Sequence, residues 1–412
     1  MTSTVYIAKN VYGGDGLGRL GDGRVVFVPG AWAGEQVKAE IVEEKRHFVK
    51  ARLVEVVERS PERLEPVDAA VPGMVYSALS YAGERAAKEQ QLREFFERAR
   101  LPFPQTPKHP NAPTPKLPNI QTPKHYRNKV VYHFAKQRGA WVIGYRTEPS
   151  HEIVDVTEDP LARPEINAKL AEIRRAVTAL LTTGPEAVRR DTARKGNVTV
   201  RWTRKTGVKW WIGDAPKDLV LKETTCGRDF EVPADGFYQV NPEVGEELVR
   251  AVVAAYEAGR ADAPDVLDLY CGVGVFGLCC GAPRLVGVES GHQAVAFAKR
   301  NAAAQHAPGA RFFADQTVRA LKRLTIGPRT TVIVDPPRGG LEPGVARRLA
   351  DSPAARILYV SCDPATLVRD LRELTRAYDV ASVRWFDMFP RTARFETFVT
   401  LVRRAPHDEP AH

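Results

Sequence analysis

Apolar and polar positions change rhythm three times along this chain. Over residues 1–60 the apolar positions alternate in short runs, at 25–28, 37–42 and 49–57, broken by Gly-Gly-Asp-Gly and Gly-Asp-Gly. Period-two alternation marks half-buried strands, and glycine clusters mark tight turns. Five or so short strands predict a small closed barrel, OB-like, of a kind that often holds single-stranded nucleic acid. Residues 76–100 predict a helix with Leu79, Leu92, Phe95 and Phe96 on its apolar face. A proline-rich stretch, about 102–124, carries Thr-Pro-Lys twice and predicts an extended insertion. Residues 125–260 mix strand-like runs (VVYHFAK, WVIGYR, VTVRWT, VKWWIG) with helices near 162–182 and 242–258, an α+β section. From Asp265 the rhythm becomes strand–helix–strand: DVLDLYC, RLVGVES, ARFFADQ, TTVIVDPP and RILYVSC. That rhythm predicts an α/β, Rossmann-like domain with a parallel-rich sheet, whose ligands lie at the carboxyl ends of the strands. The expected domains are 1–60, 61–240 and 241–412.

Charge adds a partner. The chain of 412 residues carries a net +10, concentrated rather than spread. Residues 101–150 hold eight Lys/Arg against one acidic residue, and residues 186–228 hold eleven against five. Tyr126, Tyr132, Phe134, Trp141, Trp202, Trp210 and Trp211 are interleaved with them. Cations for phosphates and flat rings for bases suit an RNA surface, against the plainer alternative of a solvated basic face over a core. Five cysteines without a C-x-x-C pair argue against a disulfide framework or a zinc site and suit a reducing cytosol, so a cytoplasmic location is expected. No run of about 18 apolar residues is present, and the N-terminus lacks the pattern of a secretion signal, so no membrane association is expected.

Candidate chemistry gathers at the predicted strand ends. Gly272, Gly274 and Gly277 form G-x-G-x-x-G after VLDLYC, where the backbone can approach a ligand at a helix start. Glu289 ends the next strand and suits ribose hydroxyls, and Asp315 suits an adenine amino group. Nicotinamide dehydrogenases share the glycine arrangement. Asp335, in VIVDPPRGG, points instead to S-adenosyl-L-methionine methyltransferases. Cys362 stands between a strand and a helix, where the helix N-terminus would favour a thiolate. Glu396 lies inside the strand-like run RFETFVTL, where burial is expensive for a carboxylate without a partner or a task and raises its pKa. An inert cysteine and a solvent-facing edge glutamate are the plainer alternatives.

FYQVN (237–241), DLYCGVGVFGL (268–278), DPPRGG (335–340), VSCDPATLVRDL (360–371) and MFPRTARFETFVTL (388–401) together resemble the signature blocks of the bacterial 5-methyluridine RNA methyltransferases, in that family's order. HYRNKV (125–130) and SHEIVDV (150–156) resemble blocks of its central domain, and the first sixty residues resemble the TRAM barrel of its ribosomal-RNA branch. The resemblance implies S-adenosyl-L-methionine as cofactor, Cys362 as nucleophile and Glu396 as base. It implies Gln239 and Tyr270 as cofactor contacts, and Asp335 as a contact to cofactor, uracil or both. It implies RNA as partner, with 23S ribosomal RNA ahead of transfer RNA, and a monomer is expected. Val71, Met74 and Asp159 stand where many members place iron–sulfur cysteines, so no cluster is expected. Val275 replaces a polar residue beside the glycines, and Arg391 and Arg394 replace histidines, with altered phosphate contacts or base tuning as the expected effect. Other readings are methylation of cytosine or of a base nitrogen, both disfavoured by Arg338 after the prolines, and a non-catalytic RNA assembly factor.

Overall fold

The computed structural model describes residues 2–65, 71–104, 125–147 and 152–405. Most of the proline-rich insertion, and the start of SHEIVDV, lie outside the described residues. The described chain divides into two compact units: residues 2–94, 125–200 and 389–395 in the first, and 95–104, 201–388 and 396–405 in the second.

In the first unit, β1 (Thr2–Asn10), β2 (Gly16–Arg19), β3 (Val25–Val28), β4 (Gln36–Glu44) and β5 (Phe48–Glu58) close into a barrel in the order β1-β2-β3-β5-β4. Val5 and Ile7, Val26 and Val28, Val37 and Ala39, Val49 and Ala51 alternate inward and form its core. Gly18 allows the closest approach, since a Cβ there would meet Val5 and the Tyr6 carbonyl. The predicted helix at 76–100 begins later, as α1 (Tyr81–Ala99). Residues 76–80 are drawn out of the helix by Arg391, whose guanidinium donates to the carbonyls of Tyr76 (3.0 Å) and Leu79 (2.6 Å) and to Glu84. Arg391 is completely buried and so out of reach of a phosphate, one of the two effects expected of its place in the sequence. Arg394 lies over the Tyr12 ring and donates to its hydroxyl.

β6 (Lys129–Gln137), β7 (Ala140–Arg146) and β8 (Ile153–Asp155) form an antiparallel sheet accompanied by α2 (Pro164–Thr182) and α3 (Glu186–Lys195). At the positions where cluster cysteines were looked for, Val71 and Met74 are buried side chains. Asp159 accepts from the Tyr132 and Tyr145 hydroxyls and the Leu161 and Ala162 amides, which fills its carboxylate with hydrogen bonds.

β9 (Asn197–Thr203) runs into the second unit, where β10 (Gly207–Ile212) and the hairpin β11 (Val220–Thr225)–β12 (Arg228–Pro233) follow. α4 (Pro242–Glu257) begins on Asn241, whose side chain caps the Val244 amide. The sheet that follows is built from β13 (Asp265–Leu269), α5 (Val275–Cys280), β14 (Leu285–Glu289), α6 (His292–Ala304), β15 (Ala310–Ala314), α7 (Thr317–Arg323), β16 (Thr330–Val334), α8 (Val345–Asp351), β17 (Arg356–Ser361), α9 (Pro364–Leu374), β18 (Tyr378–Phe386) and β19 (Glu396–Arg403). Its strand order is β15-β14-β13-β16-β17-β19-β18. The first five strands in that row are parallel, as their near-continuous apolar runs predict, and β19 is antiparallel to both neighbours. α9 covers the sheet with Leu367, Leu371 and Leu374, each fully buried and each worth about 1.5–3 kcal/mol of burial. Among the described residues no helix is long and apolar enough to cross a membrane.

Candidate functional site

One edge of the seven-stranded sheet collects the chemistry. Parallel strands bring Tyr270, Glu289, Asp335 and Cys362 to their carboxyl ends. β19 runs the other way, so its first residue, Glu396, arrives at that same edge. The register pairs Ser361 with Thr397, which sets Cys362 and Glu396 opposite each other one step further on. Cys362 is half-buried, and Glu396 is only 4% exposed.

The electrostatics differ from the sequence expectation for the thiol. The N-terminal amides of α9 are taken by Asp363, whose carboxylate accepts from Ala365 (3.0 Å) and Thr366 (3.2 Å). The helix terminus is therefore already neutralised, and Asp363 itself works against a thiolate. Burial pushes the Cys362 thiol up to about 12, with Glu396 and Asp335 adding to the effect and Arg338 opposing it. Burial and Asp335 hold the Glu396 carboxyl well above the usual range, again opposed by Arg338. Exposed Arg338 is thus a cation serving both groups. Its loop is tied to α9 by Arg369, which donates to Gly339 O (2.9 Å), and by Asp370, which accepts from the Leu341 amide (2.8 Å).

Beside this pair lies a cleft of roughly 560 Å³ including its open mouth, in the usual size range for small-molecule sites. Phe237, Val275 and Phe276 supply apolar walls, and Gln239, Tyr270 and Asp335 supply polar ones. Gln239 packs against Gly245, where a Cβ would come within 2.7 Å of its own. Tyr270 adopts a left-handed backbone (φ 62°), as do Gly272 and Gly274, in the turn from β13 into α5. Glu289 accepts from the Gly272 amide (3.3 Å) and the Gly291 amide (2.7 Å), fixing its carboxylate at the end of β14. Asp268, fully buried beneath the glycine turn, accepts from the Gly277 amide (2.9 Å), while its other oxygen has no partner. Burial raises Asp268 to about 7, opposed by that amide and assisted by Asp335 and Glu289. Asp335 is likewise raised to about 7, by desolvation and by Glu289.

Two acidic residues, Glu246 and Asp335, and no Lys or Arg among the described cleft-lining residues suit a cationic sulfonium, and the apolar walls suit the rest of S-adenosyl-L-methionine; Asp268 and Glu289 stand behind the glycine turn, outside the lining. Asp315 is not part of this lining. Its carboxylate is held by Arg319 (3.0 Å) and Arg323, in a separate hollow with the half-exposed ring of Phe313. The sequence reading gave no role to Asp268 or Phe237. A carboxylate inside the apolar run VLDLYC was the available signal for the first, and no periodicity marks the second. Cys271, Cys279 and Cys280 are buried. A hydrogen bond from Cys279 lowers the Cys226 thiol to about 7, although burial and Glu246 oppose this.

Comparison with known proteins gives the family. A family model described as "tRNA (Uracil-5-)-methyltransferase" matches residues 220–404, and a TRAM domain model matches residues 2–54. The 23S rRNA (uracil(1939)-C(5))-methyltransferase RlmD of Chromohalobacter salexigens is 30% identical, over 97% of this chain and 89% of that protein. An uncharacterized RNA methyltransferase of Thermotoga maritima is 28% identical, over 98% of this chain and 99% of its own. Among solved structures, the Pyrococcus abyssi tRNA (uracil-54, C5)-methyltransferase in complex with S-adenosyl-L-homocysteine shares the fold, with a TM-score of 0.70 at 22% identity, covering 97% of this chain and all of that one. The chain belongs to the RNA uracil-5-methyltransferase family, whose members use S-adenosyl-L-methionine.

Proposed function

We propose that the protein methylates carbon 5 of a uridine in 23S ribosomal RNA through a covalent Cys362–uracil adduct, with transfer RNA as the second candidate substrate. The observation that carries this reading is the placement of Cys362 opposite Glu396 at the sheet edge that also bears Asp335 and the cofactor cleft. Ribosomal RNA is preferred because the relative at 30% identity over nearly the whole chain acts on 23S rRNA by its name.

Carbon 5 of uracil is a weak nucleophile until a thiolate adds at carbon 6. In the proposed sequence the extruded base enters beside Cys362, the thiol gives up its proton to water, and sulfur bonds to carbon 6. The electron pair displaced onto carbon 5 then forms the new carbon–methyl bond. S-adenosyl-L-methionine supplies that methyl and leaves as the neutral thioether. Gln239, Tyr270 and the carboxylate of Asp335 hold the cofactor in the cleft, and Glu289, beyond the lining, takes its ribose hydroxyls. Glu396, raised by burial and Asp335 and opposed by Arg338, must first release its own proton to water to act as a carboxylate. Glu396 then removes the carbon 5 proton, the carbon 5–carbon 6 double bond re-forms, and the thiolate is expelled.

Incubation with S-adenosyl-L-methionine and an RNA containing 5-fluorouridine tests this. Fluorine cannot leave as a proton does, so an adduct stable in denaturing gels should form, and Cys362→Ala should abolish it. An equal yield of adduct from that variant overturns the assignment. Sequencing methylated uridines in ribosomal and transfer RNA from a deletion strain separates the two substrates.

A further inference from the structure

The segment that carries Phe237, Tyr238 and Gln239 to the cofactor cleft is a bare turn between β12 and α4. Within the turn the Gly236 amide donates to Pro233 O (3.0 Å), and the Ala234 and Gly236 carbonyls take a partner from elsewhere in the fold. That partner is Arg201, on β9, far away in sequence. Its Nη1 donates to Ala234 O (2.9 Å) and Gly236 O (2.8 Å) and lies 3.3 Å from Pro233 O. The side chain is 2% exposed, yet the guanidinium does not spend its charge on a carboxylate; its Nε has no partner at all. Glu223, the nearest acid by electrostatic influence, likewise keeps one buried oxygen unpartnered.

A buried arginine left partly unsatisfied is costly, and an apolar side chain of similar size would relieve that cost. What the arginine supplies instead is geometry, three converging carbonyls held from one nitrogen. The turn is tight enough to need it: a Cβ on Gly236 would lie 2.4 Å from the Pro233 ring. Beyond the turn, the Tyr238 hydroxyl meets Thr225 Oγ1 (2.5 Å), Gln239 packs on Gly245, and Asn241 caps α4. Arg201 holds the turn at the end from which Phe237 projects, 73% exposed, at the cleft mouth.

We propose that Arg201 is a positioning residue for cofactor binding, clamping the 233–236 turn so that Phe237 and Gln239 face the cleft. It touches neither cofactor nor substrate itself.

The test is the affinity for S-adenosyl-L-homocysteine by calorimetry on the full-length protein, which needs no RNA and so stands apart from the identity of the RNA target. Arg201→Met should weaken binding about tenfold or more, the range for lost hydrogen bonds to a charged group. Arg201→Lys, which keeps a donor cation without the planar fork, should rank between it and the wild type. Leu374→Ala, a core truncation at the far end of α9, controls for general destabilisation and should leave the affinity near wild type. In turnover, the KM for the methyl donor should rise by a larger factor than kcat falls. If Arg201→Met does not fold, the Lys variant against the wild type carries the comparison alone. Unchanged affinity in the Arg201 variants, or a loss no larger than that of Leu374→Ala, overturns the proposal.

Discussion

Cys362 and Glu396 face each other across the antiparallel pair β17 and β19, one residue beyond the Ser361–Thr397 step of the ladder. Glu396 raises the proton affinity of Cys362, and burial with Asp335 raises that of Glu396, so the pair rests with little negative charge. That relationship fixes how the free protein should behave toward thiol reagents.

In the ligand-free protein near pH 8, iodoacetamide should label Cys226 before Cys362. The hydrogen bond from Cys279 holds the Cys226 thiol below the ordinary range, whereas Cys362 at about 12 is almost wholly protonated. Labelling of Cys362 should climb about tenfold per pH unit below 12, as its thiolate fraction does. Glu396→Gln removes a group that raises the thiol, so Cys362 should react faster at any one pH in that variant. Peptide mass spectrometry over a pH series measures both; faster labelling of Cys362 than Cys226 at pH 8 contradicts the electrostatics described.

Asp363→Ala should move two properties in opposite directions. Losing the cap on Ala365 and Thr366 should cost about 1 kcal/mol of stability, seen as a lower melting temperature. The same change uncovers the α9 amides and removes an acid beside the sulfur, so Cys362 should alkylate faster. A variant that is less stable but no more reactive shows that the helix terminus does not act on the thiol.

Glu396→Gln should permit methyl transfer and block release. Enzyme bound to methylated RNA should accumulate, and turnover should fall by roughly 10²–10⁴-fold, the usual contribution of a general base. Denaturing gels with labelled donor measure the trapped species, and wild-type turnover by this variant removes Glu396 from the proposed role.

Asp268→Asn should flatten the pH dependence of stability. Asp268 is raised from 3.8 in the unfolded chain to about 7 when folded, so its contribution is fully present below 3.8 and is lost as pH rises through 7. Asparagine has no such titration, and its oxygen still accepts from Gly277. The melting temperature of the variant should therefore gain on the wild type between pH 4 and 7 and hold its advantage above, with a ceiling of about 4 kcal/mol. A difference that is constant across that range contradicts a buried titrating carboxylate.

Much of the fold was legible because it depends on local periodicity. The barrel strands at 25–28 and 37–42, and all five parallel strands from Asp265 onward, fall where alternation and apolar runs placed them. Three features were hidden, for separate reasons. α3 is written as EAVRRDTARK, with one buried residue, so no apolar stripe announces it. The late start of α1 comes from Arg391, some 310 positions away, and no local pattern reports a contact of that range. Cys362 was placed correctly at a helix start, but the adjacent Asp363 consumes the amides first, which depends on side-chain geometry rather than position. Glu396 was picked out as a carboxylate in a strand; that β19 runs backward among parallel neighbours, and so meets Cys362, is a property of the sheet order.

The resting sulfur is chemically quiet. Peroxides and stray electrophiles attack thiolates, and the raised Cys362 thiol offers them scarcely any near neutral pH. Under the proposed role of Cys362, such a thiol would outlast idle periods undamaged, at the expense of a slower first bond.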